Sequence, residues 1–106
     1  MDGPTFQKRA DECLQRVTRW LEGFDPDELD YTGGDGVVTL NFADGKRFVL
    51  NRQSATNQMW FAAVASAWHF RWDEERSIWV DEKDGCPLLE RVGGAVSEKL
   101  GRRVTP

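Results

Sequence analysis

Six carboxylates, Glu22, Asp25, Asp27, Glu28, Asp30 and Asp35, fall within fourteen residues that contain no Lys or Arg. Carboxylate oxygens are hard ligands, suited to Mg²⁺, Ca²⁺, Mn²⁺ and iron ions of similar hardness. Spread over a helix end, a loop and an edge strand, they form no closed cage. The binding they allow is weak, exchangeable and poorly selective. Two other readings of the same run stay open: a solvated acidic face kept for solubility, and a patch that steers a basic protein surface.

The remaining reactive side chains offer less. His69 is the only histidine, and no Cys or His stands at zinc-ligand spacing from it. No phosphate loop and no nucleophile elbow are present. Cys13 falls on a helical apolar stripe and reads as a small core residue. Cys86 precedes Pro87 at a helix start, where the dipole could lower its pKa, but no histidine lies near it in sequence.

Charge and composition narrow the partners. The net charge is −4 and the sequence pI about 4.9, which disfavours nucleic acid, because phosphate binding needs clustered Lys and Arg. No run of about 18 apolar residues exists to span a membrane. The first residues lack the basic and apolar regions of an export signal. A cytoplasmic monomer with reduced thiols is expected, folded as one domain over residues 1–106.

The elements that must position these groups follow from periodicity. Phe6, Ala10, Cys13, Leu14, Val17, Trp20, Leu21 and Phe24 recur at steps of three and four, predicting a helix over 5–24. The polar stretch 25–32 reads as a loop and a short edge strand, and 33–36 as a glycine-rich turn. Strands are predicted at 37–42, 46–53, 58–62, 68–72 and 77–81, with Asp44-Gly45 as a hairpin signal. A second helix is predicted over 87–100, its stripe formed by Leu88, Leu89, Val92, Val96 and Leu100. Gly93-Gly94 inside it costs about 1 kcal/mol per residue, a cost that close packing on the sheet could require. Helix, antiparallel strands, helix is an α+β order. It predicts a two-layer sandwich with both helices on one sheet face.

Side-chain parity then sorts the strands. Phe48, Leu50, Met59, Phe61, Trp68, Phe70 and Trp72 belong under the helices. Asn51, Gln53, Gln58, Trp60, His69 and Arg71 belong on the open face. Trp60 has no packing reason to lie among amides, and Trp and Arg are enriched at interface hot spots. The alternative is a rim position packed under a loop. His69, beside Trp60 and Arg71, is a candidate interface residue of a type that titrates near neutral pH.

The segment Asn51-Arg52-Gln53, four residues, then Gln58-Met59-Trp60 resembles the signature of the frataxin family: Asn, a basic residue, Gln, four variable residues, Gln, an aliphatic residue, Trp. Gly36-Val37-Val38-Thr39-Leu40 is similar to the family's second strand, and Trp68-His69-Phe70 to its bacterial, CyaY-type branch. Trp79-Val80, Asp84-Gly85 and Leu88-Leu89 resemble the last strand, turn and final helix. The resemblance covers nearly the whole chain in one order, and it implies the fold predicted above.

It also implies a role in iron–sulfur cluster assembly, through contact with a cysteine desulfurase and its scaffold protein, and weak iron binding on an acidic ridge. In the family, iron-linked acids lie along the first helix and first strand. Asp27, Glu28 and Asp30 match the strand part, Glu22 and Asp25 the helix end, and Asp11 lies farther up the helix. Thr18, Arg19 and Gly23 depart from it, standing where bacterial members often carry acids. The implied role is that of a non-catalytic iron donor or regulator. A ferroxidase or iron-storage assembly, and an acidic interaction module without a metal role, are the competing readings.

Overall fold

A computed structural model describes residues 1–106. Its first helix, α1, spans Gly3–Leu21. It starts earlier than the apolar stripe predicts because Asp2 caps it, its carboxylate accepting the Thr5 N–H at 2.8 Å. It also stops earlier. Glu22 ends it, and Phe24 beyond the helix still packs edge-on against Trp20, with ring centroids 5.1 Å apart.

Six strands follow: β1 (Leu29–Gly34), β2 (Val37–Phe42), β3 (Arg47–Gln53), β4 (Gln58–Ala62), β5 (Ala67–Asp73) and β6 (Ile78–Asp81). They pair antiparallel in chain order, β1 to β6. Consecutive strands are joined by short turns, so each pairs with its neighbour in sequence. The β1–β2 turn is tighter than predicted. Gly33 and Gly34 stay in the ladder opposite Val38 and Val37, which leaves Asp35-Gly36 as a two-residue loop. Gly36 has φ +76° there, a left-handed value that suits glycine at the second turn position.

The closing helix, α2, spans Leu88–Leu100. It ends at Gly101, whose φ of +72° is the left-handed cap expected of a glycine. Both helices bury their stripes on one face of the sheet. Phe6, Ala10, Leu14, Val17 and Leu21 of α1 meet Leu88, Val92 and Val96 of α2 over Leu40, Leu50, Met59, Phe61 and Phe70. No helix is long and apolar enough to cross a membrane.

Two expectations about packing change. Trp68 and Trp72 are on the helix side but only half-buried, because they lie at the margin of the layer. Trp68 stacks on Phe61 and Trp72 packs edge-on to Trp79. Gly93 is small for a different reason than contact with the sheet. A Cβ there would lie 2.8 Å from Pro106 Cδ, while one on Gly94 would meet nothing within 4 Å. The chain after α2 turns back along the helix, and Ser97 Oγ accepts the Val104 N–H at 2.9 Å and donates to its carbonyl at 3.0 Å.

Candidate functional site

The acidic run ends up at one edge of the sandwich, where the end of α1 meets β1. Glu22 and Asp30 line one shallow depression together with Leu21, Phe24, Pro26, Leu29 and Tyr31. Glu22, Asp25, Asp27 and Asp30 are all exposed. Asp25 is shaped by its own backbone, its Oδ1 accepting the Asp27 N–H at 2.9 Å, and Asp30 Oδ1 accepts the Tyr31 N–H at 2.8 Å. Each such bond leaves oxygen lone pairs free.

Two of the six candidate ligands are already engaged. Glu28 holds Arg102 in a fork, with distances of 2.5 and 2.6 Å. The hydrogen bonds from Arg102 keep its carboxyl below the usual range. Asp11 sits 2.7 Å from Arg52, which also reaches Asp35 at 2.7 Å. Arg52, the basic residue of the central motif, thereby ties α1 to the β1–β2 turn. No three carboxylates, thiols or imidazoles converge on one point where a metal ion could sit. The donor set is hard oxygen, solvent-facing and spread out, which fits a loosely held, exchangeable cation and not a resident one.

The opposite face of the sheet carries a row set by register. Asn51 on β3 lies opposite Trp60 on β4, and Trp60 lies opposite His69 on β5. Gln53 pairs across from Gln58. Arg71 is exposed farther along β5. Trp60 is outside the core cluster and half-buried because His69 covers one face of its indole. Its Nε1 donates to Gln58 Oε1 at 2.9 Å, and Gln58 Nε2 donates to Glu82 Oε2 at 2.7 Å. The other Glu82 oxygen lies 3.6 Å from His69 Nδ1. Four side chains thus close a ring that fixes the indole in place.

Glu82 escaped the sequence reading, which stopped the last strand at Asp81. Parity alone could have found it, since Glu82 continues the face of Val80; in the structure its N–H donates to the His69 carbonyl at 3.0 Å.

The cysteines take no part. Burial pushes the Cys13 thiol up to about 12. Cys86 is also shifted upward, by partial burial and then by the carboxylates of Glu90, Asp84 and Asp81, with Arg91 opposing them. The direction is upward, the reverse of the lowering that a helix start could give. Its thiol donates to the Pro87 carbonyl at 3.6 Å and not to His69.

Comparison with known proteins agrees with this geometry. A family model described as a frataxin-like domain matches residues 1–102. The iron–sulfur cluster assembly protein CyaY of Dechloromonas aromatica is 34 % identical over 105 residues, 98 % of this chain and 97 % of that protein. The frataxin of Psychromonas ingrahamii superposes with a TM-score of 0.87 at 23 % identity, covering 99 % and 97 % of the two chains. Trimeric frataxin from Saccharomyces cerevisiae, crystallised in complex with ferrous iron, superposes with a TM-score of 0.75 at 24 % identity, covering 89 % of this chain and 87 % of that one. Helix, six-stranded meander, helix, and a motif whose Trp stands on the open face all lead to the same place: the chain belongs to the frataxin family, in its bacterial CyaY-type branch.

Proposed function

We propose that this protein is a non-catalytic accessory factor of iron–sulfur cluster assembly in the cytoplasm. It docks the cysteine desulfurase and its scaffold protein through the open sheet face and carries weakly bound iron on its acidic edge. One observation carries the docking: Trp60 is braced by His69 and Gln58 on a face of amides, outside the core. An aromatic side chain fixed before contact loses little entropy on binding, which suits an anchor. Asn51, Gln53 and Gln58 supply amide donors and acceptors around it, and Arg71 a charge. The name of the Dechloromonas relative gives the pathway.

The iron part rests on the acids that remain free. Glu22, Asp25, Asp27 and Asp30 are open to a cation, whereas Asp11 and Glu28 join only if Arg52 or Arg102 lets go. Ferrous iron bound to the yeast protein supports iron as the cargo. The deciding experiment is equilibrium binding to the purified desulfurase of the same host. Trp60→Ala should weaken it at least tenfold while the domain stays folded. Unchanged affinity removes the open face as the docking surface.

A further inference from the structure

Trp60, Trp68 and Trp72 are the half-buried tryptophans of the sheet, and two of them carry an arginine of the chain itself on the ring. Arg9 lies 4.6 Å over Trp72 and Arg91 lies 5.5 Å over Trp68, both on the helix side. Trp60, on the open side, differs. His69 covers one face of its indole, and no ring or cation of the chain lies over the other.

The groups around that second face decide what it can take. The indole N–H already donates to Gln58 Oε1, so it has nothing to offer an anion. Asn51 on β3 and His69 on β5 are the two cross-strand partners of Trp60, so Asn51 flanks it on the side away from His69. Asn51 Nδ2 donates to the Arg52 carbonyl at 3.2 Å. A carbonyl can only accept, so the amide is fixed with its NH₂ end on that bond and its oxygen, Oδ1, without a donor. The free polar group beside the ring is therefore an acceptor. Arg71 stands on β5, across the stack from Asn51, and the chain as a whole carries a net charge of −4. An aromatic face with an acceptor at its side suits a flat cationic donor, and guanidinium is the side chain that both stacks and donates from its edge.

We propose that the uncovered face of Trp60 takes an arginine side chain of the docking partner, its guanidinium stacked on the indole and donating to Asn51 Oδ1. This pairing rests on the open face being the docking surface and adds which partner group meets Trp60 there.

The test is equilibrium binding of the full chain to the purified desulfurase–scaffold complex of the same host, with urea unfolding to verify that each variant is folded. Trp60→Leu keeps an apolar side chain without a π face, and should bind roughly fivefold more weakly than wild type. Gln53 follows Asn51 along the same face, and its side chain makes no bond in the structure. Gln53→Glu sets a carboxylate beside the guanidinium and should tighten binding about threefold, and Gln53→Lys should weaken it by about the same factor. Wild-type affinity in Trp60→Leu means an apolar partner group and overturns the proposal. So does Gln53→Glu that binds no tighter than wild type, or Gln53→Lys that binds as well. Trp60→Ala keeps two failures apart. If it too binds like wild type, the open face is not the docking surface; a weakened Trp60→Ala beside an unaffected Trp60→Leu removes the arginine alone.

Discussion

Trp60 and His69 lie face to face across β4 and β5, with ring centroids 4.2 Å apart and planes 11° from parallel. They are direct cross-strand partners, so the register itself brings the rings together. Glu82 and Gln58 then pin the two outer edges of the stack.

This stack contributes to stability only modestly, about 0.5–1.5 kcal/mol for an aromatic pair. His69→Ala should therefore lower the unfolding free energy by about 1 kcal/mol or less. Its effect on desulfurase binding should be larger, because it frees the indole to rotate. Binding by isothermal titration beside urea unfolding separates the two. Equal losses in both would mean that the stack serves only the fold.

Arg52 should matter more to the fold than either acid it holds. It joins Asp11, forty-one residues away, to Asp35 in the β1–β2 turn. Arg52→Ala removes both pairs and should cost about 1–2 kcal/mol, against about 0.5–1 for Asp11→Ala. Gly36→Ala attacks the same place from the turn. Its φ is +76°, and a Cβ there falls 2.8 Å from Arg52 Cζ. It should destabilise the protein in chemical denaturation, and Arg52→Ala should relieve part of that loss in the double variant.

The pair of Glu28 with Arg102 has a pH signature. The Arg102 hydrogen bonds depress the folded carboxyl, whereas the unfolded chain leaves it at its ordinary value. A depressed acid stabilises the fold above the unfolded pKa, near 4.3 for Glu. That contribution fades as pH falls through the lower folded value. The stability gap between wild type and Glu28→Gln should therefore be constant above about pH 5 and close below about pH 4. Thermal unfolding from pH 3 to 7 reads it. Arg102→Ala should also tighten Fe²⁺ binding several-fold by releasing Glu28, measured by calorimetry under anaerobic conditions. Unaltered affinity would place the iron elsewhere.

Adjacent glycines of α2 should respond in opposite ways to one methyl group. Gly94→Ala enters open space and should stabilise the helix by about 0.5–1 kcal/mol. Gly93→Ala gains the same propensity but pushes on Pro106, so it should stabilise less or destabilise outright. Cutting the chain before Val104 should make the two substitutions equivalent, which thermal unfolding of the four proteins would reveal.

Oxidation of iron separates accessory from enzymatic readings. A ferroxidase needs iron sites close together, and the free acids Glu22, Asp25, Asp27 and Asp30 do not converge. Consumption of Fe²⁺ in air should proceed no faster with the protein than with a matching concentration of a simple carboxylate. A clear acceleration lost in Asp27→Asn and Asp30→Asn would restore the enzymatic reading.

The strands and faces were legible in the residues because alternation is local. Phe48, Leu50, Met59, Phe61 and Phe70 are buried as parity requires, and Asn51, Trp60 and His69 share the other face. Short turns such as Asp35-Gly36 leave a meander as the simplest pairing. Helix ends were less legible, since Asp2 caps α1 from outside the apolar stripe.

What residue types and spacing determined here was the element order, the open face and the position of the acids along the chain. The folded structure alone decided which acids remain free, because Arg52 and Arg102 arrive from 41 and 74 residues away. It also decided that Glu82 braces Trp60 and that Gly93 makes room for the chain end. Periodicity reports which way a side chain points, a property of a few neighbouring bonds. Which charge it meets depends on how distant segments close upon one another, and no local spacing records that.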